Sequence, residues 1–337
     1  MMQNHEAEPE LPGSSSGSAP LLVAEEIRKS YGSGLALRKL SFSLYAGHIL
    51  GFLGPNGAGK TTAIRILTTI LEPSSGHFTI DGISSRYPQE IRRRIGVLPE
   101  SLGFAKHMTG LECLTFFGQL YGQPASQAKK RGMELLRDVG LEHKARALIG
   151  SYSRGMRQRL GIARSLVNNP AVVFFDEPTL GLDPRGQQEL LGLVRWVARE
   201  RKTGVVLCSH ALNEIEDICD DVVILRDGEI IAQGTVRDVI KRAQSNIIRI
   251  HVPETTTHTA RTVLEALPEI VKVTPTTKGW LLVELANTVE RGEEASQALK
   301  AEILNALVHA NVPVQSFEAE SGRLQDVFFQ LTEGAAQ

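Results

Sequence analysis

The residues that decide the fold read Gly54-Pro55-Asn56-Gly57-Ala58-Gly59-Lys60-Thr61. They match the pattern G-x-x-x-x-G-K-[ST], in which glycines let the backbone bring its N–H groups close to a phosphate. The apolar run Ile49–Leu53 before them predicts a buried strand, and Thr61–Leu71 has the apolar spacing of a helix. Strand, glycine loop and helix, in this order, form the context that a phosphate-binding loop requires.

Two side chains of the loop have separate predicted roles. Lys60 is placed to reach the β- and γ-phosphates of a nucleotide, and the Thr61 hydroxyl is placed to bind Mg²⁺. The alternative is a glycine-rich turn that matches the pattern by chance. Average glycine usage gives such a match, in a chain of this length, a chance of roughly one in a hundred. The stretch alone therefore predicts a nucleotide-phosphate site.

The composition argues against several classes of protein. The 337-residue chain has a formal net charge of −1, so no general basic surface for nucleic acid is expected. Cys113, Cys208 and Cys219 lack C-x-x-C spacing, which fits a reducing compartment. No apolar run approaches the roughly twenty residues needed to span a bilayer, and the N-terminus does not read as a secretory signal. We expect a soluble, cytoplasmic chain that meets a membrane only through a partner.

Polar residues follow two further buried strands. The apolar run Val172–Phe175 ends in Asp176 and Glu177, and Gly204–Cys208 leads to His210. Taken alone, each is more typical of a structural strand end. In a nucleotide-binding α/β fold, however, the carboxyl ends of parallel strands face the ligand. We therefore expect Asp176 to hold Mg²⁺, directly or through water, and Glu177 to orient or deprotonate an attacking water. His210, on the next strand, is expected at the same edge.

Composition and periodicity divide the chain into three parts. Residues 1–20 are rich in Gly, Ser, Pro and Glu and are predicted to be disordered. Residues 21–245 hold the phosphate loop, with a helical stretch over about 101–170. Residues 246–337 show the order β-α-β-β-α-β, which predicts a small ferredoxin-like α+β domain. No catalytic constellation is present in that last part.

The signature stretch is Ser151-Tyr152-Ser153-Arg154-Gly155-Met156-Arg157-Gln158-Arg159. It resembles the signature of the ATP-binding subunits of ABC transporters, and Ser153 falls 23 residues before Asp176, as is usual in that family. The resemblance covers about residues 21–240, with the motifs in the family's order. It implies an α/β P-loop NTPase core of the ABC ATPase type with a helical subdomain, here about 101–170. The small C-terminal domain also resembles the one appended in a drug and polysaccharide exporter branch, where a regulatory or accessory role is expected.

The resemblance assigns a role to each candidate residue. Those expected to bind ATP are Tyr31, Gly54, Pro55, Asn56, Gly57, Ala58, Gly59, Lys60, Thr61, Thr62, Glu100 and Asp176. Those expected to hold Mg²⁺ are Thr61, Glu100 and Asp176. The catalytic residues would be Glu177, as the catalytic glutamate, and His210, as the switch histidine. The residues expected to act across a dimer are the signature and D-loop residues Ser153, Arg154, Gly155, Met156 and Asp183.

The chain departs from the family's commonest pattern at three positions. The usual Leu-Ser-Gly-Gly-Gln signature carries Arg154 and Met156 here, in a form similar to that of the exporter branch. Its serine and second glycine, which contact γ-phosphate in the family, are kept. Glu100 replaces the Q-loop glutamine. A carboxylate can still hold Mg²⁺ or its water, but it adds negative charge near the γ-phosphate, which leaves the rate of hydrolysis open.

The family mechanism implies two kinds of partner. A second ATPase subunit, expected to be an identical copy, would sandwich two ATP molecules head to tail. A separate transmembrane permease would hold the chain at the inner face of the cell membrane. No nucleic-acid partner is expected. The leading interpretation is an exporter ATPase driven by ATP-dependent dimerisation; the sequence does not identify the cargo or exclude import.

Two alternative functions are weighed against this one. A soluble ABC ATPase acting on ribosomes or DNA usually carries two cassettes or a long coiled-coil insertion, and this sequence has one cassette and no such insertion. A non-hydrolysing regulatory module is disfavoured because Lys60, Asp176, Glu177 and His210 are all present.

Overall fold

The structure is a computed structural model that describes residues 19–32, 34–244, 247–276, 279–286, 292–319 and 323–333. The chain divides into two compact units between Val236 and Arg237. Most of the tail predicted to be disordered, residues 1–18, lies outside the described residues, as do residues 245 and 246 at the predicted domain boundary.

The described residues of the first unit build one ten-stranded sheet, ordered β5-β4-β1-β2-β10-β9-β3-β8-β7-β6. Its strands are β1 (Leu22–Tyr31), β2 (Gly34–Leu44), β3 (Ile49–Leu53), β4 (Ser75–Ile80), β5 (Ile83–Ser84), β6 (Ile95–Leu98), β7 (Val172–Asp176), β8 (Gly204–Cys208), β9 (Asp221–Arg226) and β10 (Glu229–Thr235). Strands β9, β3, β8, β7 and β6 run parallel, whereas β2, β1 and β4 pair antiparallel. The parallel half delivers several strand ends to one edge.

Helices connect these strands. They are α1 (Lys60–Leu67), α2 (Pro88–Arg94), α3 (Gly110–Leu120), α4 (Ala125–Asp138), α5 (Arg154–Ser165), α6 (Pro184–Arg201), α7 (Leu212–Ile218) and, at the division between the units, α8 (Val236–Gln244). α3, α4 and α5 fall in the predicted helical stretch. α1 ends earlier than predicted, at Leu67, because Thr69 takes a left-handed conformation (φ 61°) that the helix cannot continue through. No helix among the described residues has the length and apolar character needed to cross a bilayer.

The parallel strands form the centre of the core. Val172, Val173, Phe174 and Phe175 are at most 1 % exposed, and all five residues of β3 are buried. This burial on both faces confirms the prediction that the continuous apolar runs are buried strands. β6 lies so close to α5 that a Cβ built on Gly96 would sit 2.0 Å from the Ser165 carbonyl oxygen. β9 and β10 form a hairpin, whose turn residues Asp227 and Gly228 both take positive φ.

The second unit contains a four-stranded antiparallel sheet, ordered β12-β13-β11-β14 among its described residues. Its elements are β11 (Ile247–His251), α9 (Thr257–Glu265), β12 (Ile270–Pro275), β13 (Trp280–Leu285), α10 (Gly292–His309), β14 (Ser316–Ala319) and α11 (Leu324–Glu333). The β-α-β-β-α-β order is as predicted. β14 begins only at Ser316, after Pro313, which lacks the N–H that a strand ladder needs.

Candidate active site

One cavity of about 250 Å³ lies between the phosphate loop and the ends of β7 and β8. These two strands are neighbours, and Asp176 pairs with Cys208 in their parallel register. The acidic residues at the end of β7 and the histidine after β8 therefore meet the loop that follows β3. The residues lining the cavity are Ala36, Pro55, Asn56, Gly57, Ala58, Gly59, Lys60, Thr61, Thr62, Ile64, Glu100, Asp176, Glu177, Cys208 and His210.

The glycines of the loop are required by its packing. Gly59 takes φ 101° immediately before α1, a conformation that side chains other than glycine rarely adopt. A Cβ there would lie 2.7 Å from the Ala36 carbonyl oxygen, and one on Gly54 would lie 2.6 Å from that of Leu225. The loop backbone is thus packed against β2 and β9, and α1 begins directly after it at Lys60.

The Lys60 ammonium curls back over its own loop. Nζ donates to the carbonyl oxygen of Gly54 and, at 3.1 Å, to that of Pro55. Burial lowers the pKa of Lys60, while the carboxylates of Glu177 and Asp176 act in the opposite direction. The cation is therefore held beside the acidic edge of the cavity, and its hydrogen bonds within the described part of the chain go to neutral carbonyls of this loop.

Two contacts hold Glu177 against His210, and a third joins Glu177 to Cys208. Oε1 of Glu177 lies 3.4 Å from Nε2 of His210, and Oε2 accepts from the His210 backbone N–H at 3.3 Å. The Glu177 backbone N–H donates to the Cys208 carbonyl at 2.9 Å. Burial raises the pKa of Glu177, and His210 partly offsets that effect. A raised pKa brings a carboxylate closer to the range suited to a general base at neutral pH.

The backbone of Glu177 is unusual. Its φ of 48° is left-handed, a conformation that side chains other than glycine, asparagine and aspartate rarely take. Such strain persists only where the surrounding structure imposes it.

Oxygen atoms suited to Mg²⁺ border the same cavity. The Thr61 hydroxyl and the carboxylates of Glu100 and Asp176 belong to residues that line it. Burial raises the pKa of Asp176, and the negative charge of Glu100 raises it further. Mg²⁺ prefers oxygen ligands and is usually bound through one or two carboxylates together with substrate phosphates. These three residues fit that pattern.

The signature residues lie at a second cavity, of about 610 Å³, which shares no lining residue with the first. Ser153, Arg154, Gly155, Met156 and Asp183 all line it. The Ser153 hydroxyl caps α5 by accepting from the Met156 N–H at 3.2 Å, and Asp183 caps α6 by accepting from the Gly186 N–H at 3.2 Å. Two helix N-termini, each capped by a side chain, therefore open onto this face.

Arg154 contacts the segment that precedes α6. A Cβ built on Gly181 would fall 2.3 Å from the Arg154 Cζ, so the guanidinium lies directly over this glycine. The substituted signature residue thus packs on the D-loop of its own chain. Tyr31, in contrast, lines neither cavity: it ends β1, is 49 % exposed, and its ring centroid lies 5.5 Å from the Lys29 Nζ.

Three buried polar residues behind the first cavity were not singled out by the sequence. The Glu214 carboxylate is on α7, and its Oε2 accepts from the hydroxyls of Thr179, at 2.7 Å, and Ser209, at 3.1 Å. The sequence of α7 is rich in acidic residues, and such a helix is usually solvated. Ala36 and Cys208, which line the cavity, were not predicted to do so either.

Comparisons with known proteins agree with this geometry. A family model described as "ABC transporter" matches residues 37–180. The linearmycin resistance ATP-binding protein LnrL of Bacillus subtilis is 32 % identical over 93 % of this chain and 98 % of its own length. The daunorubicin/doxorubicin resistance ATP-binding protein DrrA of Streptomyces peucetius is 34 % identical over 90 % of each chain.

A solved structure shares the fold of the first unit. It is a dimeric ATP-binding cassette in a post-hydrolysis state, bound to ADP and Pi, with 26 % identity and a TM-score of 0.57. The match covers 64 % of this chain and 98 % of that one. The chain therefore belongs to the ABC transporter family, as an ATP-binding and ATP-hydrolysing subunit.

Proposed function

We propose that the chain drives export through a separate transmembrane permease by closing an ATP-bound dimer of two identical copies and reopening it on hydrolysis. The observation that carries this proposal is the separation of the two cavities. The phosphate loop and the signature serine of one chain open onto different cavities, and in this proposal Ser153 serves a nucleotide held by another chain. One kind of chain carries both halves of the composite site, which favours a homodimer.

The residues of the first cavity have distinct tasks in this proposal. Lys60 leaves its loop carbonyls and donates to the β- and γ-phosphates. Thr61, Glu100 and Asp176 would hold Mg²⁺, which when bound neutralises charge on the phosphate oxygens. Glu177 accepts a proton from the water that attacks the γ-phosphate, and His210 orients the Glu177 carboxylate. Tyr31 is proposed to stack on the adenine that extends beyond the cavity.

The signature face completes the site of the opposite copy. The Ser153 hydroxyl and the N-terminal N–H groups of α5 donate to the γ-phosphate held by the partner chain. The γ-phosphate is then bound from both sides, so ATP favours the closed dimer more than ADP does. Because Gly155 has no side chain, it lets the two chains approach each other closely. The segment that contains Asp183 is proposed to contact the partner chain. Arg154 and Met156 border that contact.

The resistance proteins named above support a role in export, with the chain in the cytoplasm at the inner face of the membrane. Its membrane partner is proposed to be the permease, which would choose the cargo; no nucleic-acid partner is proposed. The C-terminal unit carries none of the candidate site residues. We assign it an accessory role in tuning dimerisation or partner contact.

The test uses Glu177→Gln, which keeps the side-chain shape and removes the proposed base. This variant should bind ATP without consuming it and run as a dimer with ATP and as a monomer with ADP on size exclusion. Adding Ser153→Arg should abolish the dimer, because a bulky cation would occupy the partner's phosphate position. Gly192→Arg, at an exposed position with open space around it, is the matched control and should leave the dimer intact. Normal hydrolysis by Glu177→Gln, or binding of ATP without dimerisation even with the permease present, would overturn the proposal.

A further inference from the structure

The Glu214 carboxylate is a buried polar group with two defined partners. Glu214 is 7 % exposed, and the residues that donate to it, Thr179 and Ser209, are 3 % and 4 % exposed. Both hydroxyls donate to the same oxygen, Oε2. Burial of a carboxylate is costly unless hydrogen bonds satisfy it, so these two contacts fix where the side chain lies.

The two donors belong to the two loops that carry the proposed chemistry. Thr179 follows Glu177 by two residues, and Ser209 directly precedes His210. The Ser209 hydroxyl also accepts from the Ala211 N–H at 3.1 Å, so its orientation is fixed as it donates to the carboxylate. Glu214 therefore joins the loop after β7 to the loop after β8 from behind the cavity.

The joined loops hold Glu177 in a conformation that it would not take by itself. Glu177 is left-handed, and its contacts to Cys208 and His210 bridge the same two loops on the cavity side. If the loops separate, both contacts lengthen and the carboxylate turns away from the attacking water. Misplacing a catalytic group by about 1 Å can cost on the order of 10²-fold in rate.

We propose that Glu214 is a positioning residue for hydrolysis, which sets the Glu177 carboxylate against His210 by tying Thr179 to Ser209. It does not line the cavity and touches no reacting atom. This inference rests on the proposed role of Glu177 as the base. A purely structural carboxylate would instead stabilise the fold without a selective effect on turnover.

The first experiment compares Glu214→Ala and Glu214→Gln in the full chain. Glu214→Ala should lower kcat by at least roughly tenfold while KM and ATP affinity stay within about twofold, because the phosphate loop is untouched. Glu214→Gln should recover most of kcat, since an amide oxygen still accepts from both hydroxyls. Asp217→Asn, which removes a charge at an exposed position of the same helix, should behave as the parent.

The second experiment is a double-mutant cycle with Glu177→Gln, measured in single turnovers with labelled ATP. If Glu214 acts through Glu177, adding Glu214→Ala to Glu177→Gln should change the residual rate by less than about twofold. The inference would be overturned if Glu214→Ala lowered the hydrolysis rate equally in both backgrounds. It would also be overturned if Glu214→Ala lowered kcat, ATP affinity and thermal stability together. Full hydrolysis by Glu177→Gln would instead overturn the proposed base, so the two failures are distinguishable.

Discussion

The side chain of His210 lies 3.4 Å from one oxygen of Glu177, and the backbone N–H of His210 donates to the other oxygen at 3.3 Å. One residue therefore holds both oxygens of the same carboxylate. Burial raises the pKa of that carboxylate, and His210 only partly reverses the effect. The charged form of Glu177 is thus less favourable in the folded chain than in water, which has a measurable consequence for stability.

Glu177→Gln should raise the thermal midpoint of the nucleotide-free protein at pH 7. The folded pKa of Glu177 lies above its ordinary value of 4.5, so the folded state binds more protons than the unfolded state between those two values. The free-energy cost of burying the charged carboxylate therefore acts in full above the folded pKa and is absent below pH 4.5. The gain from Glu177→Gln should shrink as pH falls from 7 toward 4.5 in scanning calorimetry. A gain that is constant with pH would contradict the pKa direction.

Lys60→Ala should weaken ATP binding by at least roughly tenfold, because charge-assisted contacts to the phosphates are lost. The fold should be retained, since the described hydrogen bonds of the Lys60 side chain join only two carbonyls of its own loop. Titration calorimetry with ATP measures the change. Lys129→Ala, on the exposed face of α4, is the matched control and should bind normally. Unchanged affinity in a folded Lys60→Ala protein would remove the lysine from the phosphate site.

Glu100→Gln should keep hydrolysis within roughly tenfold, about 1.4 kcal/mol in the barrier, because an amide oxygen can still reach the metal shell. The substitution also removes a negative charge that raises the pKa of Asp176. Glu100→Ala should cost more, since it removes the oxygen altogether. Steady-state hydrolysis over a range of Mg²⁺ concentrations separates the two variants. Equal activity of all three proteins would show that Glu100 has no part in the chemistry.

A chain ending near Ser245 should still bind ATP and keep part of its hydrolysis. Every residue that lines either cavity precedes Val236, so each lies in the first compact unit. Binding of a fluorescent ATP analogue and phosphate release are the measurements, with circular dichroism as the control for folding. A truncated protein that is folded but has lost nucleotide binding would contradict the prediction.

Two glycine substitutions should change thermal stability in opposite directions. A Cβ on Gly96 would meet the Ser165 backbone at 2.0 Å, so Gly96→Ala must shift α5 from β6 and should cost about 1–3 kcal/mol. Gly192 has open space around it on α6, and Gly192→Ala should add roughly 0.5–1 kcal/mol through helix propensity. Thermal melts of the two variants beside the parent measure both. A melt of Gly96→Ala equal to that of the parent would contradict the close packing.

Continuous apolar runs made the buried strands predictable. β8 spans the predicted Gly204–Cys208, because its residues are apolar on both faces and no proline interrupts them. α6 was not predicted, although Asp183 at its N-cap and Pro184 at its first position are the usual start signals. Its buried residues also have the spacing of an amphipathic helix, so the sequence carried this signal too; they are Leu190, Leu191, Leu193, Val194, Val197 and Ala198.

Site residues that belong to a sequence motif could be predicted. Residues that reach the site only through tertiary packing could not be predicted as well. The residues Pro55 to Thr62 line the cavity as expected, since the pattern itself encodes the loop. Glu214 was missed because α7 carries several acidic residues, and spacing does not reveal which one turns inward to Thr179 and Ser209. Ala36 reaches the cavity from β2, a contact that no local pattern encodes.

At Glu177, the residue that would make the protein most stable differs from the residue that hydrolysis requires. Glycine adopts φ 48° without the steric cost that glutamate bears there, a cost of order 1–3 kcal/mol. The sequence best suited to this backbone therefore lacks the carboxylate that the chemistry needs. Directed evolution that selected for thermal stability alone would therefore favour Glu177→Gly. The most stable variants from such a selection would be those that no longer hydrolyse ATP.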